Sequence, residues 1–97
     1  MYIWYMTRID WNDDKNEWLP RVRGISFEDI LYHLTHGGLL DIIMQTNPER
    51  YPGQVILVVN VEQYVYLVPY VRNDDVIFLK TIIPSRKMTR KYLGEGS

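Results

Sequence analysis

The chain has 97 residues, of which 46% are hydrophobic and 24% charged, and this length predicts a single domain over residues 1–97 with one core. The composition excludes a disordered or collagen-like chain, and no apolar run approaches the roughly 20 residues that cross a bilayer. The absence of cysteine excludes disulfides, thiolate catalysis and iron–sulfur clusters. The first residues lack the basic and apolar segments of a secretory signal, which predicts a cytoplasmic protein.

The net charge of −1 hides a strong polarity along the chain. Residues 1–75 carry six Lys or Arg against eleven Asp or Glu, a net charge of −5, whereas residues 76–97 carry five basic groups against one acid, a net charge of +4. Because polyanion binding depends on local potential, this basic end can engage phosphates despite the acidic total. The solvated face of a terminal helix explains the same charges, and both interpretations stay open.

The N-terminal third predicts one strand and a first helix. Residues 2–9 are rich in aromatic and β-branched side chains, which favours a strand. Asn12 or Asp13 can cap a helix that runs through about Val22. Pro20 predicts a kink or a break near its end.

A second helix is predicted after the first. Ser26 is its expected N-cap, and Gly37 and Gly38 are expected to end it. Its apolar side chains recur at i, i+3, i+4 and i+7, at Phe27, Ile30, Leu31 and Leu34.

The rest of the chain predicts four strands and a last helix. The strand-like runs are residues 40–46, 55–61, 64–72 and 76–83. Their short connections predict antiparallel neighbours, and Pro69 predicts a bulge or an unpaired position because it has no N–H to donate. The final helix is expected over residues 85–93, with its buried stripe at Met88, Tyr92 and Leu93. The expected fold class is therefore α+β: an antiparallel sheet of four to five strands with two N-terminal helices and a C-terminal helix, all packed on one face.

Familiar catalytic motifs for nucleotides, serine hydrolysis and zinc or calcium are absent from the sequence. His33 and His36 are three residues apart on the second helix. They can serve as cations at the helix C-terminus, one of them can act as a proton-transfer residue or, with a further ligand, both can bind a metal. No metal site is assigned.

The basic C-terminal segment is a more specific candidate site than the two histidines. On a helix Arg86 and Arg90 are i, i+4 neighbours, and so are Lys87 and Lys91, which makes two adjacent cationic ridges. Arginine forks pair bidentately with phosphate oxygens, and Lys80 adds a point charge from a strand. Four tyrosines are candidates for stacking on bases, although packing explains most aromatic side chains: Tyr51, Tyr66, Tyr70 and Tyr92.

Three segments resemble the signature stretches of the BrnT-type toxins, in the same order and at similar spacing. They are IDWNDDKN at residues 9–16, RGISFEDI at 23–30 and PSRKMTRKY at 84–92. That family belongs to the RelE-like ribonuclease toxins of bacterial type II toxin–antitoxin systems. The resemblance implies a RelE-like fold, translation arrest by mRNA cleavage, and a cognate antitoxin of the ribbon-helix-helix or helix-turn-helix type. Operator DNA would be contacted only through the antitoxin, and RNA would be bound either free or on the ribosome.

The resulting hypothesis is an endoribonuclease that needs no cofactor, because the ribose 2'-hydroxyl is itself the nucleophile. Arg86 and Arg90 are expected to stabilise the phosphate, while Lys80, Lys87 and Lys91 hold the RNA. Tyr70 or Tyr92 is expected to stack or to assist proton transfer. The general base stays open among three residues: His33, His36 and Lys80.

Two alternatives to the endoribonuclease hypothesis remain. The family's usual Lys-His-Gly stands here as Val22-Arg23-Gly24, which leaves open a non-catalytic module that binds an antitoxin-like protein. The other alternative is a toxin that poisons a DNA-modifying enzyme.

The loop 47–54 is expected to border the RNA surface, with Arg50 on a phosphate and Tyr51 packed beneath the loop or stacked on a base.

Overall fold

A computed structural model describes residues 2–3, 7–44, 49–50 and 54–94. The described elements, in chain order, are β1 (Tyr2–Ile3), β2 (Thr7–Trp11), α1 (Asp13–Arg23), α2 (Phe27–Thr35), β3 (Leu39–Met44), β4 (Gln54–Val61), β5 (Tyr64–Asn73), β6 (Val76–Leu79), β7 (Ile83–Pro84) and α3 (Arg86–Leu93). The predicted α+β class is confirmed. Among the described residues, no helix combines the length and the apolar character needed to cross a membrane.

Both N-terminal helices begin where the sequence places their caps. The side chain of Asn12 accepts a hydrogen bond from the backbone N–H of Lys15 at 2.9 Å. Ser26 and Asp29 form a reciprocal capping box at the start of α2. Pro20 lies inside α1, and the helix continues for three residues beyond it before Gly24 ends it in the left-handed region.

The sheet is mixed rather than purely antiparallel, which corrects the sequence-based prediction. Its strand order is β1-β2-β6-β5-β4-β3, and β7 pairs with β5. The N-terminal strand β2 lies parallel to β6, with Arg8 opposite Val76 and Trp11 opposite Leu79. A parallel pair needs a long crossover, and the two helices with the segment from β3 to β5 supply it here. The segment predicted as one strand over residues 2–9 contains the antiparallel pair β1–β2 instead.

The helices cover both faces of the sheet, whereas the sequence suggested one. Side chains alternate along β4, so Val58 points away from Leu57 and Val59, which belong to the core cluster under α1 and α2. Asp41 is the cross-strand partner of Val58 and therefore shares its face. Tyr92 of α3 donates its hydroxyl proton to Asp41. The face under α1 and α2 is called the core face below, and the opposite one the α3 face.

The main core lies on the core face. It is formed by buried apolar side chains from both helices and four strands: Ile9, Leu19, Ile25, Phe27, Ile30, Leu31, Leu57, Val59, Val68, Ile77, Leu79 and Ile82. The aromatic ring of Phe27 stacks on that of Trp11, with centroids 5.4 Å apart. This packing joins α2 to the parallel strand β2.

The run predicted as one strand over residues 76–83 is divided. β6 ends at Leu79, and the chain returns to β5 only as the short strand β7. Pro69 lies beside this break: it stays in register opposite Ile56, and its carbonyl accepts from the N–H of Lys80 at 2.8 Å. Because the amide nitrogen and carbonyl of a residue point to the same side of a strand, the missing N–H of Pro69 faces the gap between β6 and β7. The predicted bulge or unpaired position is therefore not found, because Pro69 stays paired with Ile56 and lacks only a donor on the side that faces this gap.

The buried residue of α3 is Thr89, with 6% of its surface exposed, whereas the predicted stripe of Met88, Tyr92 and Leu93 is only half-buried. The Thr89 hydroxyl accepts from the N–H of Val65 at 2.9 Å and donates to the carbonyl of Ser85 at 2.7 Å. A polar side chain thus anchors α3, because it supplies the partner for an amide of β5.

Candidate nucleic-acid interface

The outer surface of α3 carries four basic side chains and no acidic one. Arg86, Lys87, Arg90 and Lys91 are all exposed. Arg86 and Lys87 lie in the first turn, where the positive end of the helix dipole disfavours cations. Within the described part of the chain none of the four forms an ion pair with a carboxylate. The charges of Arg86, Lys87 and Arg90 are therefore open to solvent, where they can meet a polyanion, while Lys91 also lies 5.5 Å from the centroid of the Tyr92 ring.

Lys80 lies beside an open cleft on the same face of the sheet. The cleft has a volume of about 370 Å³ and is lined by Gln54, Ile56, Leu67, Pro69, Lys80, Thr81 and Ile83. The Lys80 ammonium is exposed and lies 5.8 Å from the centroid of the Phe78 ring. The Thr81 hydroxyl is buried and has no hydrogen-bond partner within the described residues. The cleft therefore has a largely apolar floor, and the Lys80 ammonium lies at its edge.

Tyr92, predicted to stack or to assist proton transfer, is held in place by Asp41. Its hydroxyl donates to Oδ2 of Asp41 at 2.6 Å, while Oδ1 of Asp41 accepts from the N–H of Ile42 at 2.8 Å. These two hydrogen bonds, with the charge of Lys91, lower the pKa of Asp41. The same hydrogen bond to Asp41 is the main cause that raises the pKa of Tyr92. The phenol therefore stays protonated and links α3 to the edge strand β3.

Other predicted site residues lie on the core face. Tyr70 packs against the core cluster, as does Tyr66. The His36 ring stacks on Tyr32 at 4.0 Å between centroids, and its Nδ1 lies 2.6 Å from the Tyr32 carbonyl at the end of α2. His33 is half-buried on the same helix. The structure therefore places Lys80 and the basic residues of α3 on one face of the sheet, and Tyr70 and α2 on the opposite side.

The loop between β3 and β4 is described in part. Arg50 is exposed in the described turn at residues 49–50. Tyr51 lies outside the described residues, so the prediction for its ring stays a prediction.

Sequence reasoning did not single out Asp41, the one charged residue in the apolar strand Leu39–Met44. An exposed carboxylate on an edge strand gave no sequence signal of a specific partner. That partner is Tyr92, which lies 51 residues along the chain.

Searches of protein-family models, of curated proteins and of solved structures each found no match to this chain. Among the described residues, no three His, Asp or Glu side chains form a group that could hold a metal ion.

Proposed function

We propose that this chain is a RelE-like toxin of a type II toxin–antitoxin pair, an endoribonuclease that cleaves mRNA and is neutralised by a cognate antitoxin. The observation that carries the proposal is the row of four exposed basic residues on α3, on the same face of the sheet as a cleft edged by Lys80. The resemblance of residues 9–16, 23–30 and 84–92 to the BrnT-type toxins supports the same assignment.

The reaction is a transesterification. The 2'-oxygen of a ribose attacks the adjacent phosphorus, and the bond from phosphorus to the 5'-oxygen of the next nucleotide breaks. A base takes the proton of the 2'-hydroxyl, and an acid supplies one to the departing 5'-oxygen, leaving a 2',3'-cyclic phosphate. The protein's contribution is orientation, charge stabilisation and these two proton transfers.

The proposed roles follow the positions of the basic side chains. Arg86 and Arg90 share one ridge of α3, and their planar donors suit the oxygens of the reacting phosphate. Lys87 and Lys91 form the adjacent ridge and hold the flanking backbone. A phosphate at the first turn of α3 would also offset the unfavourable placement of Arg86 and Lys87 at the positive helix end.

Lys80 is the proposed general base. Of the three candidates it is the one on the α3 face, since it lines the cleft there, whereas His33 and His36 lie on α2 over the core face. Tyr92 is a positioning residue in this scheme, because its proton is engaged by Asp41.

A non-catalytic module that binds an antitoxin-like protein is the second candidate. One observation favours it: the side chains of Tyr92 and His36 are already bonded to Asp41 and to the Tyr32 carbonyl. Of the candidate proton-transfer residues, this leaves Lys80 on the α3 face. Such a module would present the same basic surface to an acidic segment of its partner.

The test compares RNA cleavage by the purified wild-type chain, Arg86→Ala and Arg21→Ala. Arg21 is an exposed arginine on α1, over the core face, and provides the matched control. We expect Arg86→Ala to lower the cleavage rate about 100-fold or more, as loss of a transition-state donor does, and Arg21→Ala to cleave as the wild type. When the three chains are expressed in cells, wild type and Arg21→Ala should inhibit growth more strongly than Arg86→Ala.

Equal cleavage by Arg86→Ala and wild type, at equal soluble expression, would contradict the assignment of Arg86. RNA left intact by the wild type, with tight binding to a ribbon-helix-helix or helix-turn-helix protein encoded by the adjacent gene, would favour the non-catalytic module. DNA damage without loss of mRNA would point to the poisoning of a DNA-modifying enzyme.

A further inference from the structure

A second cleft lies on the core face, between α2 and the turn that joins β4 to β5. It is open to solvent, has a volume of about 480 Å³, and its lining includes Ile25, Asp29, His33, Glu62, Tyr64 and Tyr66. None of the basic residues of α3 or Lys80 lines it. The proposed ribonuclease therefore leaves this cleft without a role.

The walls of the cleft are held together by backbone contacts. Gly38 donates its N–H to the carbonyl of His33, and its own carbonyl accepts from Asn60. A Cβ atom at Gly38 would lie 2.7 Å from the oxygen of His33 and 2.8 Å from that of Asn60, so glycine allows α2 to approach β4 this closely. Asn60 also closes the turn, because its side chain accepts from the N–H of Gln63 at 3.0 Å.

The fixed charges around the cleft are negative. Asp29 and Glu62 are exposed carboxylates at its rim, and no lysine or arginine among the described residues lines it. Arg23, which precedes the lining residue Gly24, points elsewhere: its guanidinium donates to the carbonyl of Ile82 and lies 5.4 Å from the Trp18 ring centroid. An anion is therefore disfavoured in this cleft, and a cation is favoured.

Two aromatic rings form one wall. The rings of Tyr64 and Tyr66 have centroids 5.6 Å apart and are tilted by 60°. Burial, together with the charges of Tyr64 and Glu62, raises the pKa of Tyr66, so the Tyr66 ring remains neutral at physiological pH. Faces of neutral aromatic rings attract ammonium and guanidinium groups, and do so more strongly where water is partly excluded.

We propose that this cleft binds an organic cation, a guanidinium or a primary ammonium, between the Tyr64–Tyr66 wall and the carboxylates of Asp29 and Glu62. An organic cation fits better than a metal ion, because the described carboxylates and imidazoles do not converge as a ligand set. The cation has two possible sources: a free polyamine, or an arginine or lysine side chain of a partner protein. This proposal is independent of the ribonuclease assignment, since the two sites lie on opposite faces of the sheet.

The first experiment is an NMR titration of the full chain with spermidine and with N-acetylarginine amide. It is run at about pH 8, where imidazole side chains are ordinarily neutral. We expect the amide signals of Gly24, Glu62 and Tyr64 to shift in a saturable way. N-acetylcitrulline amide, which has nearly the shape of the arginine compound without its charge, should leave them unchanged.

The two probes distinguish the sources. Tighter binding of spermidine assigns the site to free polyamines, and tighter binding of the arginine compound assigns it to a partner's side chain. Equal shifts with citrulline, or no saturable shift with either cation, would overturn the proposal.

The second experiment removes one charge. Glu62→Gln keeps the shape of the side chain, and the turn tolerates glutamine because Gln63 already adopts a positive φ of 69° there. We expect it to weaken cation binding about three- to fivefold, the range of a partly exposed ion pair, while Glu17→Gln on α1 binds as the wild type. Tyr64→Leu should weaken binding through loss of one ring face.

Equal affinity of Glu62→Gln and Glu17→Gln would overturn the site. Arg86→Ala should bind the cation unchanged, so loss of RNA cleavage and loss of cation binding are separable results.

Discussion

The two faces of the sheet are built on different principles. The core face is closed by α1 and α2, and its side chains include Phe27, Leu57 and Val68 with none of their surface exposed. The α3 face is covered by a single short helix, held by the Thr89 hydroxyl and by the link between Tyr92 and Asp41. Ile83, at its margin, is 39% exposed. Stability is thus concentrated on one side, which leaves the other free to carry unpaired charge.

The largest effect should come from the core face. Phe27→Ala removes a fully buried ring stacked on Trp11, and truncation of a buried aromatic costs about 3–5 kcal/mol. Ile83→Ala, at the half-exposed margin of the α3 face, should cost less than about 1 kcal/mol. Urea denaturation of both variants gives the two unfolding free energies. Similar losses of unfolding free energy in the two variants would show that the two faces do not differ in their contribution to stability.

An intermediate effect is expected from the anchor of α3. Thr89→Val keeps the volume of the side chain but leaves the N–H of Val65 without its partner. An unsatisfied buried amide costs about 1–3 kcal/mol. Thr35→Val, at an exposed threonine that donates only to carbonyls of its own helix, is the control and should cost less than about 0.5 kcal/mol. Equal unfolding free energies for the two variants would show that the Thr89 hydroxyl does not anchor α3.

The smallest effect should come from the link between Tyr92 and Asp41, because Asp41 is exposed, Tyr92 is only half-buried, and water screens their interaction. The pKa of Asp41 is lowered in the folded chain, so its stabilising contribution is complete above the usual value of 3.8 and is lost as the pH falls through the lowered pKa. Tyr92→Phe should be slightly less stable than the wild type at neutral pH, and this difference should shrink below pH 3.8.

Thermal denaturation at several pH values measures that difference. Tyr32→Phe removes an exposed tyrosine hydroxyl on α2 and should show no such pH dependence. A difference between Tyr92→Phe and wild type that stayed constant through the acid range would rule out Asp41 as the partner that matters.

The sequence predicted the local elements better than their arrangement. The caps at Asn12 and Ser26 and the helical stripe from Phe27 to Leu34 depend on neighbours a few residues away, and these predictions are confirmed. The parallel pairing of β2 with β6 depends on contacts between distant segments, which periodicity does not encode. One signal for the two-sided sheet was present in the continuous apolar run 55–59, since a strand covered on both faces does not alternate.

The candidate site divides in the same way. Clustered charge on one helix predicted the exposed row from Arg86 to Lys91 without knowledge of the fold. Tyr70 and His36 could be assigned to a face only when the sheet and α2 were placed, because an aromatic side chain or a histidine serves packing and capping as readily as binding. The hydrogen bond between Asp41 and Tyr92 could be identified only from the tertiary structure, because the two residues are 51 positions apart in the sequence.

The parallel pairing of β2 with β6 also constrains the order of folding. Arg8 lies opposite Val76, so the N-terminal strand finds its neighbour only after most of the chain has left the ribosome. The antiparallel segment from β3 to β6 has short-range connections and can pair first, whereas β2 must close a loop of nearly the whole domain. During synthesis α1 and α2 emerge before the strands that bury their apolar stripes, so a chaperone or a co-translational partner would meet those stripes before the finished domain hides them.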